Sequence, residues 1–500
     1  MLHISVCQGD LAAFSADTVI VNLFHGVTTP GGATGALDRA LNGAISALIS
    51  AGDLTGAEGE TRTLYPQGAI PARRVIVVGL GKREAFDLLA ARNSAARAIL
   101  AARQHGADHV ATLVHGAGIG GLDVAAATQA LVEGSVQALH QNPSDARKNG
   151  KAISRITLVE LDPEKLATME QAAEIGRIIS AGVIMARDLV FLPPNSCTPD
   201  YLADIARQIA ARHGMAITVG GRKWARQRHM GAFLAVAQGA GLKPRFIVLE
   251  HNADRTDLPT LVLVGKGIVF DSGGLTLKSG AGMVTMKNDM GGAAVVLALM
   301  ETAAALDLPF RLIGIAPCTE NKPDADAFRP GDVISASNGK TIEIISTDAE
   351  GRLVLADALV LAKQYTPDLV IDIATLTGIA ANSLGHGMAA ALFSTEDRHR
   401  DALMAAATTT RERVWPFPLW PDYLGAIRSP VADIKNSGGA DGGLGASAIF
   451  LHQFTDYPWM HLDIAGVVLS HSRTAQAYEK HGATGFGVRL LTEFMRTWSH

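Results

Sequence analysis

Thr260-Leu-Val-Leu-Val-Gly-Lys-Gly-Ile-Val269 is the stretch on which the fold turns. An apolar run this continuous reads as a strand buried on both faces, the pattern of parallel sheets. A helical stretch, Asp289–Leu306, follows it, and then a second strand, Arg311–Ala316. A turn at Gly339 leads into strand Thr341–Ile345, helix Asp348–Tyr365 and strand Leu369–Ala374. Strands alternating with helices predict an α/β fold with a mixed, mostly parallel central sheet covered by helices.

The first third repeats the alternation on a smaller scale. Candidate strands are Thr18–Leu23, Arg74–Val78, His109–Val114 and Ser154–Val159, with Ala-rich helices at Leu88–His105 and Val124–His140. A polar segment, Gln141–Lys151, links two of these elements. Residues 164–191 read as a connecting helix that stops before Pro193-Pro194, which a helix does not easily cross. The expected division is an α/β domain over 1–165, a connecting helix over 166–192 and a second domain over 193–500. A chain of 500 residues is too long for one ordinary core.

Composition removes several function classes. The hydrophobic share of 48% and charged share of 18% are those of a globular protein. A net charge of −4 with no long Lys or Arg run gives no support to nucleic-acid or anionic-membrane binding. Cys7, Cys197 and Cys318 are too scattered for a disulfide framework or a thiolate metal site, which suits a reducing cytoplasm. The N-terminus lacks the charged and apolar regions of a secretory signal, and no apolar run reaches the roughly 18–20 residues of a membrane span.

Two tempting motifs carry little. Gly116-Ala-Gly118-Ile-Gly-Gly121 fits the dinucleotide glycine pattern, but the region about 20 residues on, Gln137 to Ser144, has no acidic residue for a ribose. A structural turn is expected there. Asn338-Gly-Lys-Thr341 ends like a phosphate loop, yet Ile334 stands where the first glycine is required, so a hairpin turn is expected. Metalloprotease H-E-x-x-H and serine-hydrolase G-x-S-x-G signatures are both missing.

The chemistry concentrates in two segments. One runs from Lys266 through Asp271 and Lys278 to Asp289; the other is Ser346-Thr-Asp348-Ala-Glu350-Gly-Arg352-Leu353. Lys266 and Asp271 fall at the end of one strand, Asp289 begins the following helix, and Asp348 and Glu350 fall just past another strand, so the four carboxylates can converge where open α/β sheets form their ligand crevice. Carboxylates gathered there repel by on the order of 4 kcal/mol per pair at about 4 Å and an effective dielectric of about 20. Such a set must protonate or bind cations, and two divalent ions would neutralise four of them; oxygen ligands suit Mg, Mn or Zn. A blander reading competes, because Thr347-x-x-Glu350 is also a capping box and Asp289 is also a helix cap candidate. That reading leaves Arg352 unexplained, along with the glycines at 265, 267, 273 and 274, which are expected to let backbone approach a small ligand.

These segments resemble the leucyl aminopeptidase family. Ser-Thr-Asp-Ala-Glu-Gly-Arg-Leu is similar to its signature octapeptide, usually begun by Asn. Phe328-Arg-Pro-Gly-Asp-Val333, Asp372-Ile-Ala-Thr-Leu-Thr-Gly378, His461-Leu-Asp-Ile-Ala-Gly466 and Ala483-Thr-Gly-Phe-Gly-Val488 also match. The match is strong over about 180–500 and weaker before 165, where Gly31-Gly-Ala-Thr-Gly-Ala36 and Val77-Val-Gly-Leu-Gly81 stand out.

The resemblance implies a macro-domain-like first domain and a catalytic second domain. It implies a metal-dependent aminopeptidase that removes N-terminal residues, leucine and other apolar ones preferred, through a metal-activated water. It assigns two divalent ions per subunit, Mn or Zn, to Lys266, Asp271, Asp289, Asp348 and Glu350, with Asp271 and Glu350 bridging. Lys278 and Arg352 become catalytic groups, the arginine holding bicarbonate as general base. Lys266 can ligate only when neutral, so its pKa must fall from about 10.4. Met286, Ser346, Thr375 and Gly378 align with the substrate pocket, where Ser346 in place of Asn puts specificity in question. Phe191 and Leu192 replace a polar pair usual in the family.

His461 is expected in the core or behind the site, and Trp415, Trp420 and Trp459 as packing groups. Peptides are the expected partners, with a homohexamer implied by the family alone. A DNA-binding regulator, an inactive relative and a two-metal phosphoesterase are the weaker alternatives.

Overall fold

The computed structural model describes residues 2–142, 152–479 and 482–498. Most of the polar segment read at Gln141–Lys151 therefore lies outside the described residues. The chain divides into two compact units, Met1–Ala181 with Ala475–Lys480, and Gly182–Thr474 with His481–His500.

In the first unit, strands β1 (His3–Gln8), β2 (Thr18–Leu23), β3 (Thr61–Leu64), β4 (Arg74–Gly79), β5 (His109–Thr112) and β6 (Arg155–Glu160) form one sheet. Its order is β1-β6-β5-β2-β4-β3, parallel except for the β3–β4 pair. Alternate residues of β2 and β4 feed different cores. Ile20, Ile76 and Val78 pack in one cluster with helices α1 (Leu88–Gln104) and α2 (Val124–Leu139), while Val19, Val21, Val75 and Val77 join Leu37 and Ile45 in another. Apolar residues on both faces explain why these strands read as unbroken runs. Asp87 and Asp123 cap the two helices by accepting from backbone N–H groups of the first turn. The returning segment that begins at Ala475 belongs to this unit. Tyr478 is buried in its core, and Asn93 both donates to Gln476 Oε1 at 2.9 Å and accepts from Ala477 N at 2.8 Å.

Helix α3 (Leu166–Phe191) stops two residues before Pro193-Pro194. The second unit then supplies β7 (Ala216–Gly220), β8 (Arg245–His251), β9 (Thr260–Gly265), β10 (Gly267–Asp271) and β11 (Arg311–Asn321). They are followed by β12 (Val333–Ser335), β13 (Thr341–Glu343), β14 (Leu369–Ala374), β15 (Ala390–Ser394), β16 (Val414–Pro416), β17 (Ile434–Lys435) and β18 (Trp459–Asp463). The main sheet runs β16-β15-β18-β14-β9-β11-β8-β7, with β10 paired to β11. It is parallel at its centre and antiparallel at β15–β18, β8–β11 and β7–β8. Helix α4 (Gly291–Ala305), buried along almost its whole length, covers one face, with Met300 and Val296 against Gly314. Helix α5 (Gly351–Ala362) packs on the other face with Ile313 and Ile315. Among the described residues, no helix is long and apolar enough to cross a membrane.

Two expectations are corrected. Thr260–Val269 is two strands interrupted at Lys266, whose N–H donates to Ile373 O at 3.0 Å and whose carbonyl accepts from Ala293 N at 2.8 Å. The strand begun at Thr341 is outside the main sheet; it lies in a small sheet ordered β12-β13-β17. Its hairpin turns at Gly339 with φ 84°, as Asn338-Gly-Lys suggested. The Gly116–Gly121 loop is a turn, with positive φ at Gly116, Gly118 and Gly121 and the Phe86 ring packed against Gly116.

Candidate active site

The break between β9 and β10 sets the position of Lys266. A Cβ on Gly351 would lie 2.4–2.8 Å from the Lys266 side chain, so the start of α5 can meet the lysine only as glycine. Asp271 ends β10, and its Oδ1 accepts from Gly273 N and Asn321 Nδ2, both at 2.8 Å. Gly273 and Gly274 turn the chain with φ of 85° and 63°. The four glycines thus approach the protein itself, since a Cβ on Gly265 would meet Gly292 and one on Gly267 would meet Cys318.

Six side chains converge. Lys266 Nζ lies 2.9 Å from Glu350 Oε1 and 2.8 Å from Asp289 Oδ2, the latter off hydrogen-bond direction, and donates to Thr375 O at 3.0 Å. Lys278 Nζ lies 2.9 Å from Asp271 Oδ2 and 2.5 Å from Asp348 Oδ1. Oxygens of Asp271, Asp348 and Glu350 fall within 4.8 Å of one another. Lys266, Asp271, Asp289 and Glu350 are buried, while Asp348 keeps 35% of its side chain exposed. Glu350 is not a capping group: its side chain makes no cap hydrogen bond, and Thr347 Oγ1 donates instead to Gly273 O at 2.6 Å. Asp289 precedes α4 without capping it.

Burial raises the carboxyl pKa of Asp289, Glu350 and Asp348, and neighbouring carboxylates add to it. Burial works against the Lys266 charge, but the fields of Asp289, Glu350 and Asp271 together outweigh it and raise the ammonium pKa. Lys278 is raised by the same balance, with Asp271 and Asp348 facing it. Four carboxyl groups meet two ammonium groups, a formal excess of two negative charges before the neighbouring Arg352 is counted, and among the described residues Glu350 Oε2 is buried without a hydrogen-bond partner. A donor set of hard oxygens with excess negative charge fits divalent cations.

Arg352 is buried beside this cluster. It donates to Asn436 O at 2.7 Å and Ser447 Oγ at 2.8 Å, and among the described residues its Nε has no acceptor. Burial lowers its pKa to about 10. Of the residues expected to border the substrate, Thr375 donates to Asp289 Oδ1 at 2.7 Å and Ser346 Oγ accepts from Asp348 N at 3.2 Å. Met286 is half-buried in the turn before Asp289, and Gly378 is exposed at the start of helix α6 (Gly378–Leu384). His461 is buried with its Nδ1 2.5 Å from Asp372 Oδ1. Of the three tryptophans read as packing groups, Trp459 is buried, but Trp415 and Trp420 are 58% and 59% exposed.

Sequence reasoning missed Asn321, Asn436 and Ser447. Asn321 ties Asp271 to Thr347 O, at 2.8 and 2.9 Å. Nothing local marked these residues; each reaches the site from a distant segment.

Residues 184–492 match the profile of the cytosol aminopeptidase family, catalytic domain, and residues 20–144 that of its N-terminal domain. The chain belongs to the cytosol aminopeptidase family. A probable cytosol aminopeptidase of Roseiflexus castenholzii is 39% identical over 100% of both chains. Another, from a Geobacter strain, is 43% identical over 92% of this chain and 93% of its own. Among solved structures, the bottromycin maturation enzyme BotP in complex with Mn is 32% identical, covering 96% of this chain and 99% of its own with a TM-score of 0.84. A point mutant of tomato leucine aminopeptidase is also 32% identical, covering 99% and 96% with a TM-score of 0.86. This family member is a metal-dependent aminopeptidase with the two-domain α/β fold of its relatives.

Proposed function

We propose that the enzyme removes N-terminal residues, leucine and other apolar ones preferred, from peptides at a site for two divalent ions, manganese or zinc. The observation that carries this reading is the buried carboxyl set with its formal excess of two negative charges over the ammonium groups and an unpartnered Glu350 oxygen. Asp271, Asp289, Asp348 and Glu350 would hold the ions, with Lys266 as the nitrogen donor. Lys266 must shed its proton for that role, as its carboxylate partners turn to the ions. When bound, the ions supply a water acidic enough to ionise near neutral pH and polarise the peptide carbonyl.

The remaining work falls to the chain. Lys278, a charged group at the more open side of the cluster, would donate to the oxyanion of the tetrahedral intermediate. Arg352, whose Nε has no acceptor among the described residues, would hold and orient a small anion, and bicarbonate would supply a base there. Met286, Ser346, Thr375 and Gly378 would border the first side chain of the peptide. Assembly as a homohexamer in the cytoplasm comes from the family resemblance; the exposed Trp415 and Trp420 offer apolar surface for contacts between copies.

Hydrolysis of a leucine anilide tests the reading, first after chelation and then with Mn or Zn restored. Leucine release that returns with metal is expected. Folded protein that turns over nothing with either metal would reject it.

A further inference from the structure

Residues Arg222-Lys-Trp-Ala-Arg-Gln-Arg-His229 bring five basic-type side chains into eight positions, a local cluster within a chain of net charge −4. Arg222–Gln227 form a short helix, the chain reverses at His229 with φ 55°, and a second short helix, Gly231–Val236, returns along it. Between this reversal and β12 lies a cavity of about 520 Å³. Arg222, Arg226 and His229 line one side; Leu234, Ile334 and Ser335 line another, and among the described residues no acidic side chain contributes. Arg222 donates from Nη2 to Ala237 O at 2.6 Å and Ala240 O at 3.3 Å. Neutral carbonyls therefore fix the guanidinium in place and leave its charge unanswered. Among the described residues, neither Arg222 nor Arg226 has a carboxylate at ion-pair distance.

The walls are held in place from behind. Gly231 abuts β12 so closely that a Cβ there would meet Ser335 O at 2.2 Å. Phe233 N and Ser337 N donate to the two oxygens of the buried Asp357, at 2.8 and 2.7 Å. A concavity fixed in this way asks little ordering of an incoming ligand. Cationic groups in a concave, part-apolar surface focus positive potential, and planar guanidinium groups match carboxylate or phosphate oxygens two at a time.

We propose that this cavity is a second ligand site, separate from the carboxylate cluster. It takes a small organic anion, with a carboxylate or phosphate against Arg222 and Arg226 and an apolar group against Leu234 and Ile334. Calorimetric titration of the full-length protein with N-acetyl-leucine, and separately with phenyl phosphate, tests it; neutral N-acetyl-leucinamide is the control. The comparison that decides is Arg226→Glu against Lys223→Glu. The second makes the same charge change at an exposed position on the same helix, outside the cavity lining.

Saturable binding of one equivalent is expected, weakened at least tenfold by Arg226→Glu and less than twofold by Lys223→Glu. Binding of N-acetyl-leucine alone identifies a carboxylate ligand, and binding of phenyl phosphate alone a phosphate. The proposal is overturned if neither anion saturates, if the neutral control binds as tightly, if Arg226→Glu binds like the parent, or if both variants weaken binding equally.

Discussion

Asn436 is fully buried and fastens the segment between β13 and α5 on both edges. Its Oδ1 accepts from Ile345 N at 2.8 Å and Ser346 N at 3.3 Å, its Nδ2 donates to Ser346 O at 2.7 Å, and its own carbonyl accepts from Arg352. Asn436→Ala would strand several of these groups, at about 1–3 kcal/mol for each one left buried and unpaired. We expect a lower melting temperature and a kcat reduced at least roughly tenfold, since Asp348, Glu350 and Arg352 all depend on this segment. Unchanged kcat would mean that the loop keeps its shape by other contacts. Glu350→Ala removes a proposed metal-binding carboxylate. Its kcat/KM should fall roughly a thousandfold or more with the far-ultraviolet circular dichroism unchanged, and turnover like the parent's would overturn the site assignment. The convergence of the acids and the two lysines was legible in sequence because they fall in two compact, glycine-containing segments. Asn436, Asn321 and Ser447 were not, because their partners lie some 26 to 95 positions away.

Strands with apolar residues on both faces announced themselves: Thr18–Leu23 and Leu369–Ala374 have the bounds that the sequence gives them. The outer strands β7, β8, β15 and β16 escaped notice; β7 and β16 are the edges of the main sheet, each paired on one side only, and their sequences carry a weaker pattern. The interruption at Lys266 was visible only as a glycine on either side of a charge. Just past β5, His115 illustrates a different property. It is 1% exposed, with Nδ1 3.2 Å from Ser94 Oγ, and burial pushes its pKa down to about 4. The folded form keeps the imidazole neutral, whereas the unfolded chain takes up a proton near pH 6.5. The associated stability is therefore complete above pH 6.5 and is lost as pH falls toward 4, by on the order of 3 kcal/mol. Urea unfolding between pH 7 and 4 should show a steeper loss for the parent than for His115→Gln. Parallel pH profiles would rule the histidine out as the source.

For the whole molecule, the excess negative charge at the carboxylate cluster should make thermal stability depend on metal. Chelated protein should melt at a lower temperature, and Mn at about one hundred times its dissociation constant should return about 2.7 kcal/mol. Glu350→Gln should lose most of that gain; an equal gain would place the ions elsewhere. Sedimentation should find an assembly of about six times the 52.3 kDa chain if the proposed homohexamer forms, and a lone chain would refute it. The strap that begins at Ala475 carries a consequence for inheritance. Because Tyr478 and the partners of Asn93 come from near the end of the chain, the first unit is not written in one consecutive stretch of sequence. Recombination at a single crossover would deliver it without its own closing piece, so the two parts of this enzyme are constrained to be exchanged between lineages together.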